Sequence, residues 1–249
     1  MKRALILAAG MGTRLHPFTA DRPKALVEFR GDSMIERAVA ALRRSGIREI
    51  GIVIGYKGQL LRDRLTQRFG SSVDISYFES DRYESTGTAY SFLLAAAHFR
   101  DDCLLLEGDV VFEDALLSRL LNDGRADSLA TLAAFRPPLE GTTVDLRAAD
   151  RIVDFHKRTV PGTFADRFKT INVYRFTRSD LAGMLDRAKR LVHQDPKAYL
   201  EDVLGALVRD AAIHLRGIDC TDLLWAEIDT AEDMHLAELA FGAFPAGAR

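Results

Sequence analysis

The sequence predicts an α/β fold, a mostly parallel central sheet with helices on both faces. Three observations carry this. A continuous apolar run at residues 4–8 ends at once in the small residues around Gly10 and Gly12. From there to Phe78, apolar runs and helical patterns alternate as strand–helix–strand–helix, the signature of parallel strands joined by crossover helices. Finally, 249 residues, 47% of them hydrophobic, suffice for a sheet buried on both faces. In open sheets of this kind ligands bind beyond the carboxyl ends of the strands, and the Gly10–Gly12 loop lies at such an end.

The elements follow in order. Residues 4–8 form a buried strand bounded by glycine. Ser33 caps a helix over 34–44, and Glu36, three residues on, completes a capping box. Gly46 ends that helix. Residues 49–54 are the next strand, leaving through Gly55-Tyr56. A basic amphipathic helix over 57–69 stops at Gly70, and 73–78 alternates as a strand. The stretch 79–91 is polar, then small, and opens an apolar helix running to His98, with Ser85 or Thr86 as its cap. Residues 102–106 form a strongly apolar strand that ends in Glu107-Gly108-Asp109. Another strand covers 127–135 before the Pro137-Pro138 break; 143–146 and 151–157 pair as a hairpin around Ala149-Asp150. Residues 169–176 alternate as a strand, and Ser179 caps the helix after it. A helix opens at 198–204, a strand runs over 213–218, and Thr230 caps the last helix with Asp233 three residues on. No composition shift, repeat or low-complexity segment divides the chain. A single domain over 1–249 is expected, with 242–249 as a frayed tail.

Bulk properties narrow the function. A formal net charge of -2 provides no general attraction to nucleic acid or to an acidic membrane. Cys103 and Cys220 lie far apart with no C-x-x-C partner, which predicts reduced, buried thiols and a cytoplasmic setting. The six histidines show no metal-ligand spacing. Met1-Lys2-Arg3 before an apolar run imitates a signal peptide, but the run is too short and is needed as the first strand. No segment approaches transmembrane length.

The chemistry concentrates at three places. In the first, Leu7-Ala8-Ala9-Gly10-Met11-Gly12-Thr13-Arg14 is followed by Pro23-Lys24. Small residues let a phosphate approach the backbone, exposed N–H groups hold its oxygens, and Arg14 and Lys24 neutralise its charge. Neither G-x-x-x-x-G-K-[ST] nor G-x-G-x-x-G is present, since Leu15 stands where the third glycine belongs. This removes a Rossmann-type oxidoreductase. The second place is Asp109, at the carboxyl end of a buried strand. A carboxylate there is costly unless it binds something, and Mg²⁺ takes one or two carboxylates plus substrate phosphates. The third is Trp225-Ala226-Glu227-Ile228-Asp229-Thr230, where the only tryptophan stands beside two acids.

At these residues the chain resembles the sugar-nucleotidylyltransferase superfamily, whose opening L-A-A-G-x-G-(T/S)-R-(L/M)-x(n)-P-K is met at every fixed position and whose closing W-x-(E/D)-(I/V)-D-T-x-E-D is matched from Trp225 to Asp233. The resemblance spans nearly the whole chain and implies a Rossmann-like nucleotidyltransferase fold. It implies that Leu7, Ala8, Ala9, Gly10, Gly12, Thr13, Gly87 and Thr88 contact the nucleotide. Asp109 and Asp229, with Glu227 beside them, would hold Mg²⁺; Glu107 replaces the usual first acid. Lys157 is placed near the acceptor's phosphate, and Asn172, polar within an apolar strand, faces the same pocket.

Such a constellation suits nucleotidyl transfer: an acceptor oxygen attacks the α-phosphorus in line and pyrophosphate leaves, so catalysis is mostly positioning and charge neutralisation. Lys24 holds the α-phosphate and incoming oxygen together, and Arg14 binds the leaving pyrophosphate. The short chain, the strand around Asn172 and the closing segment look most like cytidylyltransferases of the phosphocholine and phosphonate type. The expected partners are therefore CTP and phosphocholine, 2-aminoethylphosphonate or a similar small acceptor. For a quaternary ammonium, an aromatic cage would draw on Tyr199, Trp225, Phe135 and Tyr174; for a primary amine, Glu201 and Asp202 are the alternative. A hexose-1-phosphate uridylyl- or thymidylyltransferase and a non-catalytic nucleotide-binding relative are the rival readings. Oligomeric state is open, with a homodimer among the options.

Overall fold

The computed structural model describes residues 1–148, 150–159 and 167–242, and the statements below concern these. The tail over 243–249 and Ala149 of the hairpin turn lie outside them.

The first half is a run of crossover units. β1 (Arg3–Ala8) leads through the glycine loop to a short ladder, β2 (Glu28–Phe29) with β3 (Asp32–Ser33), and into α1 (Met34–Arg44). Then come β4 (Glu49–Ile54), α2 (Gly58–Phe69), β5 (Asp74–Glu79), α3 (Thr88–Leu94) and β6 (Cys103–Glu107). β5, β4, β1 and β6 lie side by side and all parallel, in register from Arg3↔Glu49 and Arg3↔Cys103 onward. β1 explains itself: Ala4, Ile6 and Ala8 point into the core under α1, α2 and the later α4, while Leu5 and Leu7 point into the core on the other face.

The second half turns antiparallel. β7 (Val110–Phe112) and α4 (Asp114–Asn122) precede β8 (Ser128–Ala134), and the hairpin is β9 (Gly141–Arg147) with β10 (Arg151–Thr159). β11 (Phe168–Phe176) is followed by α5 (Arg178–Gln194), α6 (Leu200–Arg209), β12 (Leu215–Asp219), β13 (Trp225–Glu227) and α7 (Ala231–Gly242). β11 pairs antiparallel with both β6 and β8, and β12 pairs parallel with β8. The sheet is thus mixed, nine strands in the order β5-β4-β1-β6-β11-β8-β12-β10-β9, and a contact of β9 with the start of β11 closes the last five into a ring.

Local chemistry fixes the ends. The capping box at Ser33 is present: Glu36 N–H donates to Ser33 Oγ, and Ser33 N–H donates to Glu36 Oε2 at 3.0 Å. Thr230 and Asp233 form the same reciprocal pair at the start of α7. Two expected caps move. α5 is capped by Thr177, whose Oγ1 accepts from Asp180 N–H at 3.2 Å, because Ser179 already lies inside the helix. α3 has Gly87 at its N-cap and no side-chain cap; the Thr86 hydroxyl instead donates to Arg82 O at 2.7 Å. Both thiols are free and buried. No helix of the described residues is long and apolar enough to cross a membrane.

Candidate active site

The carboxyl ends of β1 and β6 open a cleft of about 370 Å³, roofed by the start of α3 and the α5–α6 connection. The loop leaving β1 is built for an anion. Gly12 sits at φ 67°, ψ 44°, the left-handed region that favours glycine. The N–H groups of Gly10, Met11, Gly12 and Thr13 donate to no backbone carbonyl of the described residues. A Cβ on Gly12 would lie 2.7 Å from Lys24 Cβ, so that glycine also makes room for the Lys24 stem. Lys24 opens a single helical turn after Pro23 and is 8% exposed.

Lys24 is the hub. Its Nζ donates to Asp109 Oδ2 at 2.5 Å and also to Asp229 Oδ1. Arg14, its side chain 68% exposed, pairs with Asp229 Oδ2 at 2.8 Å. Asp109 and Asp229 meet because β13 pairs antiparallel with β7, Glu227 opposite Val110, and the ladder runs one step further as Ile228 N–H donates to Asp109 O at 3.0 Å. Burial alone would lower the Lys24 pKa; the two carboxylates outweigh it and raise it, keeping the ammonium charged. Burial would likewise raise Asp229, but Lys24 and then Arg14 hold it below the usual carboxylate value.

Behind this hub lies an acidic floor. Carboxylate oxygens of Glu107, Asp109 and Glu227 all come within 4.8 Å of one another. The grouping differs from the expected Asp109–Asp229–Glu227 set: Asp229 is turned to Lys24 and Arg14, and Glu107 stands in the acid group. Asp109 Oδ1 is buried without a hydrogen-bond partner. An all-oxygen donor set with a spare buried oxygen fits a hard divalent cation such as Mg²⁺. Burial, then the charges of Glu201, Asp109 and Glu227, hold Glu107 well above the ordinary carboxylate range. Burial also raises Glu227 against the opposing charge of Lys169, and pushes Glu201 up to about 7.

Asn172 enters through a backbone irregularity. It has φ 61°, and the pairing of β11 with β8 shifts register between Thr170 and Tyr174. In a regular strand Lys169 and Asn172 would point to opposite faces. Here both reach the acids: Asn172 Nδ2 donates to Glu107 Oε2 at 3.3 Å, and Lys169 Nζ to Glu227 Oε2 at 2.6 Å. Lys169, 3% exposed, was not among the expected site residues; its signal was a lysine inside an otherwise apolar strand.

The other expected residues divide. Leu7, Ala8, Ala9, Gly10, Gly87, Thr88 and Tyr199 line the cleft. Gly87 and Thr88 also fasten its roof: Gly87 N–H donates to Pro196 O at 2.9 Å, Leu200 N–H donates to Thr88 Oγ1 at 2.8 Å, and a Cβ on Gly87 would lie 2.2 Å from Ala198 O. The Gly87 amide is therefore spent on the fold, while the Thr88 hydroxyl, accepting there, keeps its own hydrogen to donate. Lys157 pairs with Asp202 at 2.7 Å, the acid that also accepts from Tyr199 N–H to cap α6. Tyr174 and Phe135, expected as aromatic-cage candidates, are core residues at 1% and 5% exposure; the Tyr174 hydroxyl donates to Asn172 Oδ1 at 3.1 Å.

An open α/β sheet whose first loop presents free amides, with a buried lysine clasped by two acids from distant segments, is chemically suited to phosphate groups. The chain belongs to the nucleotidyl transferase family, whose model matches residues 3–139. Among curated relatives it is similar to CMP-5'-(3-aminopropyl)phosphonate synthase of Streptomyces rubellomurinus, 32% identical over 96% of this chain but only 38% of that protein. It is also similar to CTP:phosphoglutamine cytidylyltransferase of Campylobacter jejuni, 32% identical over 48% of each. The chain thus spans about half or less of these relatives' lengths. Of solved structures it resembles the inositol-1-phosphate CTP transferase from T. maritima, with a TM-score of 0.80, 24% identity and coverage of 97% and 95% of the two chains. CTP:phosphocholine cytidylyltransferase from Streptococcus pneumoniae gives a TM-score of 0.77 at 19% identity, covering 96% and 99%. At these identities the structural likeness establishes the fold.

Proposed function

We propose that this nucleotidyltransferase is a cytidylyltransferase that transfers CMP from CTP to a small phosphonate or phosphate acceptor and releases pyrophosphate. The observation that carries the transfer chemistry is the Lys24 ammonium held between Asp109 and Asp229 beside the free amides of the Gly10–Thr13 loop. The choice of CTP is supported by the relatives named for CMP or CTP chemistry.

In this reading the loop amides and Arg14 hold the β- and γ-phosphates, and Lys24 neutralises the α-phosphate together with the incoming oxygen. The acceptor oxygen is already ionised, so no general base is required. It bonds to the α-phosphorus as the bond to the bridging oxygen breaks, and pyrophosphate departs with that electron pair. Asp109, grouped with Glu107 and Glu227, would hold Mg²⁺ together with the expected Asp229, and the ion would supply charge neutralisation to the triphosphate. Gly87 and Thr88 shape the nucleotide end of the cleft, and Lys157, Asn172, Tyr199, Glu201 and Trp225 are the residues assigned to the acceptor in this reading.

The test is pyrophosphate release with Mg²⁺, each of CTP, UTP, dTTP, ATP and GTP being tried against phosphocholine, aminoethylphosphonate, inositol phosphate and glucose-1-phosphate. CTP with a small acceptor is the expected pair. Turnover of glucose-1-phosphate with UTP or dTTP in preference overturns the cytidylyl reading, and nucleotide binding without pyrophosphate release overturns the transferase itself.

A further inference from the structure

Thr19 is a hydroxyl residue buried where its neighbours are not. His16, Pro17, Phe18 and Ala20 are exposed, Phe18 at 47%, whereas Thr19 is 5% exposed. A buried hydroxyl needs a partner, and this one donates through Oγ1 to Gly12 O at 2.9 Å. The segment that carries it is pinned on both sides. Phe18 N–H donates to Leu15 O at 3.0 Å and Ala20 N–H to Pro17 O at 3.1 Å, while Ala20 O accepts from Lys57 Nζ at 3.0 Å.

The Gly12 carbonyl thus accepts twice, from Thr19 and from Leu15 N–H at 2.9 Å. The peptide after Gly12 is trans, so its plane sets C=O and N–H pointing opposite ways. Holding Gly12 O toward Leu15 and Thr19 turns Thr13 N–H to the other side, where it donates to no backbone carbonyl of the described residues. The hold matters because Gly12, at φ 67° and ψ 44°, has no side chain to confine its backbone. A rotation of that peptide would put an oxygen where an anion needs a donor. Resting on the reading that the loop amides hold the β- and γ-phosphates, we infer that Thr19 is a positioning residue: its hydroxyl locks the Gly12–Thr13 peptide with the N–H turned to the triphosphate. It acts through Gly12 and does not itself touch the nucleotide.

The experiment measures the dissociation constants of CTP and of CMP by calorimetry, with Mg²⁺ and without acceptor, in the wild-type protein, Thr19→Val, Thr19→Ala and Thr19→Ser. The two ligands share base, sugar and α-phosphate, so the CMP-to-CTP ratio isolates the β- and γ-phosphates. Loss of one hydrogen bond should cut that ratio by about 3–10-fold in Thr19→Val and Thr19→Ala, with CMP affinity unchanged. Thr19→Ser keeps the hydroxyl and should stay within about twofold of wild type. A ratio intact in Thr19→Val and Thr19→Ala overturns the inference and leaves the phosphate-holding loop standing. So does equal weakening of CTP and CMP, or a Thr19→Ser as impaired as Thr19→Val, since packing and not the hydroxyl would then be at work. Failure of both hydroxyl-free variants to fold also overturns it, making Thr19 a determinant of the fold. Wild-type protein that binds CTP no more tightly than CMP overturns the phosphate-loop reading and this inference with it.

Discussion

Replacing Lys24 with methionine keeps the stem that fills the space beside Gly12 and removes only the charge. Two consequences follow from the geometry. The ammonium is the shared partner of Asp109 and Asp229, whose side chains are 20% and 26% exposed. Breaking a fully buried pair from one side costs about 3–5 kcal/mol. The partial exposure of both acids lets water recover some of that, so a loss of about 2–3 kcal/mol is expected. For a chain of this size that lowers Tm by about 5–10 °C. The second consequence is catalytic. Among the described residues lining the cleft, Lys24 is a buried cation that in the proposed reaction neutralises the α-phosphate, and removing one such stabiliser costs about 10²–10³ in kcat. Thermal unfolding by circular dichroism reads the first effect, and pyrophosphate release at saturating CTP, well below the variant's Tm, reads the second. A variant that keeps kcat within about threefold of wild type while showing the stability loss would refute the reasoning, since Lys24 would then be a structural counter-ion only.

Gly12→Ala places a methyl in the left-handed region and against Lys24 Cβ; stability should fall by about 1–3 kcal/mol, and kcat by up to about 10²-fold through displacement of the ammonium, measured by the same two assays. Glu36 is buried, and although burial raises its pKa, hydrogen bonds from Ser33, Arg64 and Arg68 bring it down to about 2. A folded value below the unfolded 4.5 means that its stabilisation is present above about pH 4.5 and lost as pH falls toward 2. Glu36→Gln should therefore be less stable than wild type in urea melts at pH 7, the difference shrinking through that window. Burial pushes Cys103 up to about 12 and Cys220 up to about 11, so neither thiol of the native protein should react with a disulfide reagent at pH 8 until denaturant is added.

What the sequence could and could not disclose separates along a physical line. The capping boxes at Ser33 and Thr230 were legible because they involve residues three apart. The β1 loop was legible because glycines, Arg14 and Lys24 sit within one short stretch whose backbone chemistry is local. Convergence of Asp109 with Asp229 was reached through family resemblance; its physical cause, the β7–β13 ladder, joins segments that no local pattern connects. Three features were not legible. Thr177 rather than Ser179 caps α5, because both residues suit the role and the position of the strand end decides between them. Gly87 reads as a base-contacting turn, yet its missing side chain is also required by close approach of the α5–α6 connection, known only in three dimensions. Lys169 is not legible because strand alternation sets it on the face opposite Asn172, and the irregularity at Asn172, φ 61°, is what brings both to the acids.

That irregularity is what brings two residues of one strand to the acid group. The parallel half of the sheet ends its strands at one edge and delivers an anion loop there, which suffices for phosphates. The antiparallel half would, if regular, cover β6 with a strand sending every second side chain away from the cleft. Turning Asn172 into the left-handed region costs about 1–2 kcal/mol for a non-glycine residue, and its side chain is then fastened by Tyr174 on one side and Glu107 on the other. In exchange Lys169 and Asn172 both meet the acid group, one neutralising Glu227 and the other steadying Glu107. Burial and mutual repulsion still hold Glu107, Glu201 and Glu227 above the ordinary carboxylate range, so these acids keep their protons to higher pH than exposed carboxylates do. The Lys24 hub and the acid group therefore sit side by side, joined through Asp109, which accepts from Lys24 through one oxygen and stands with Glu107 and Glu227 in the acid group.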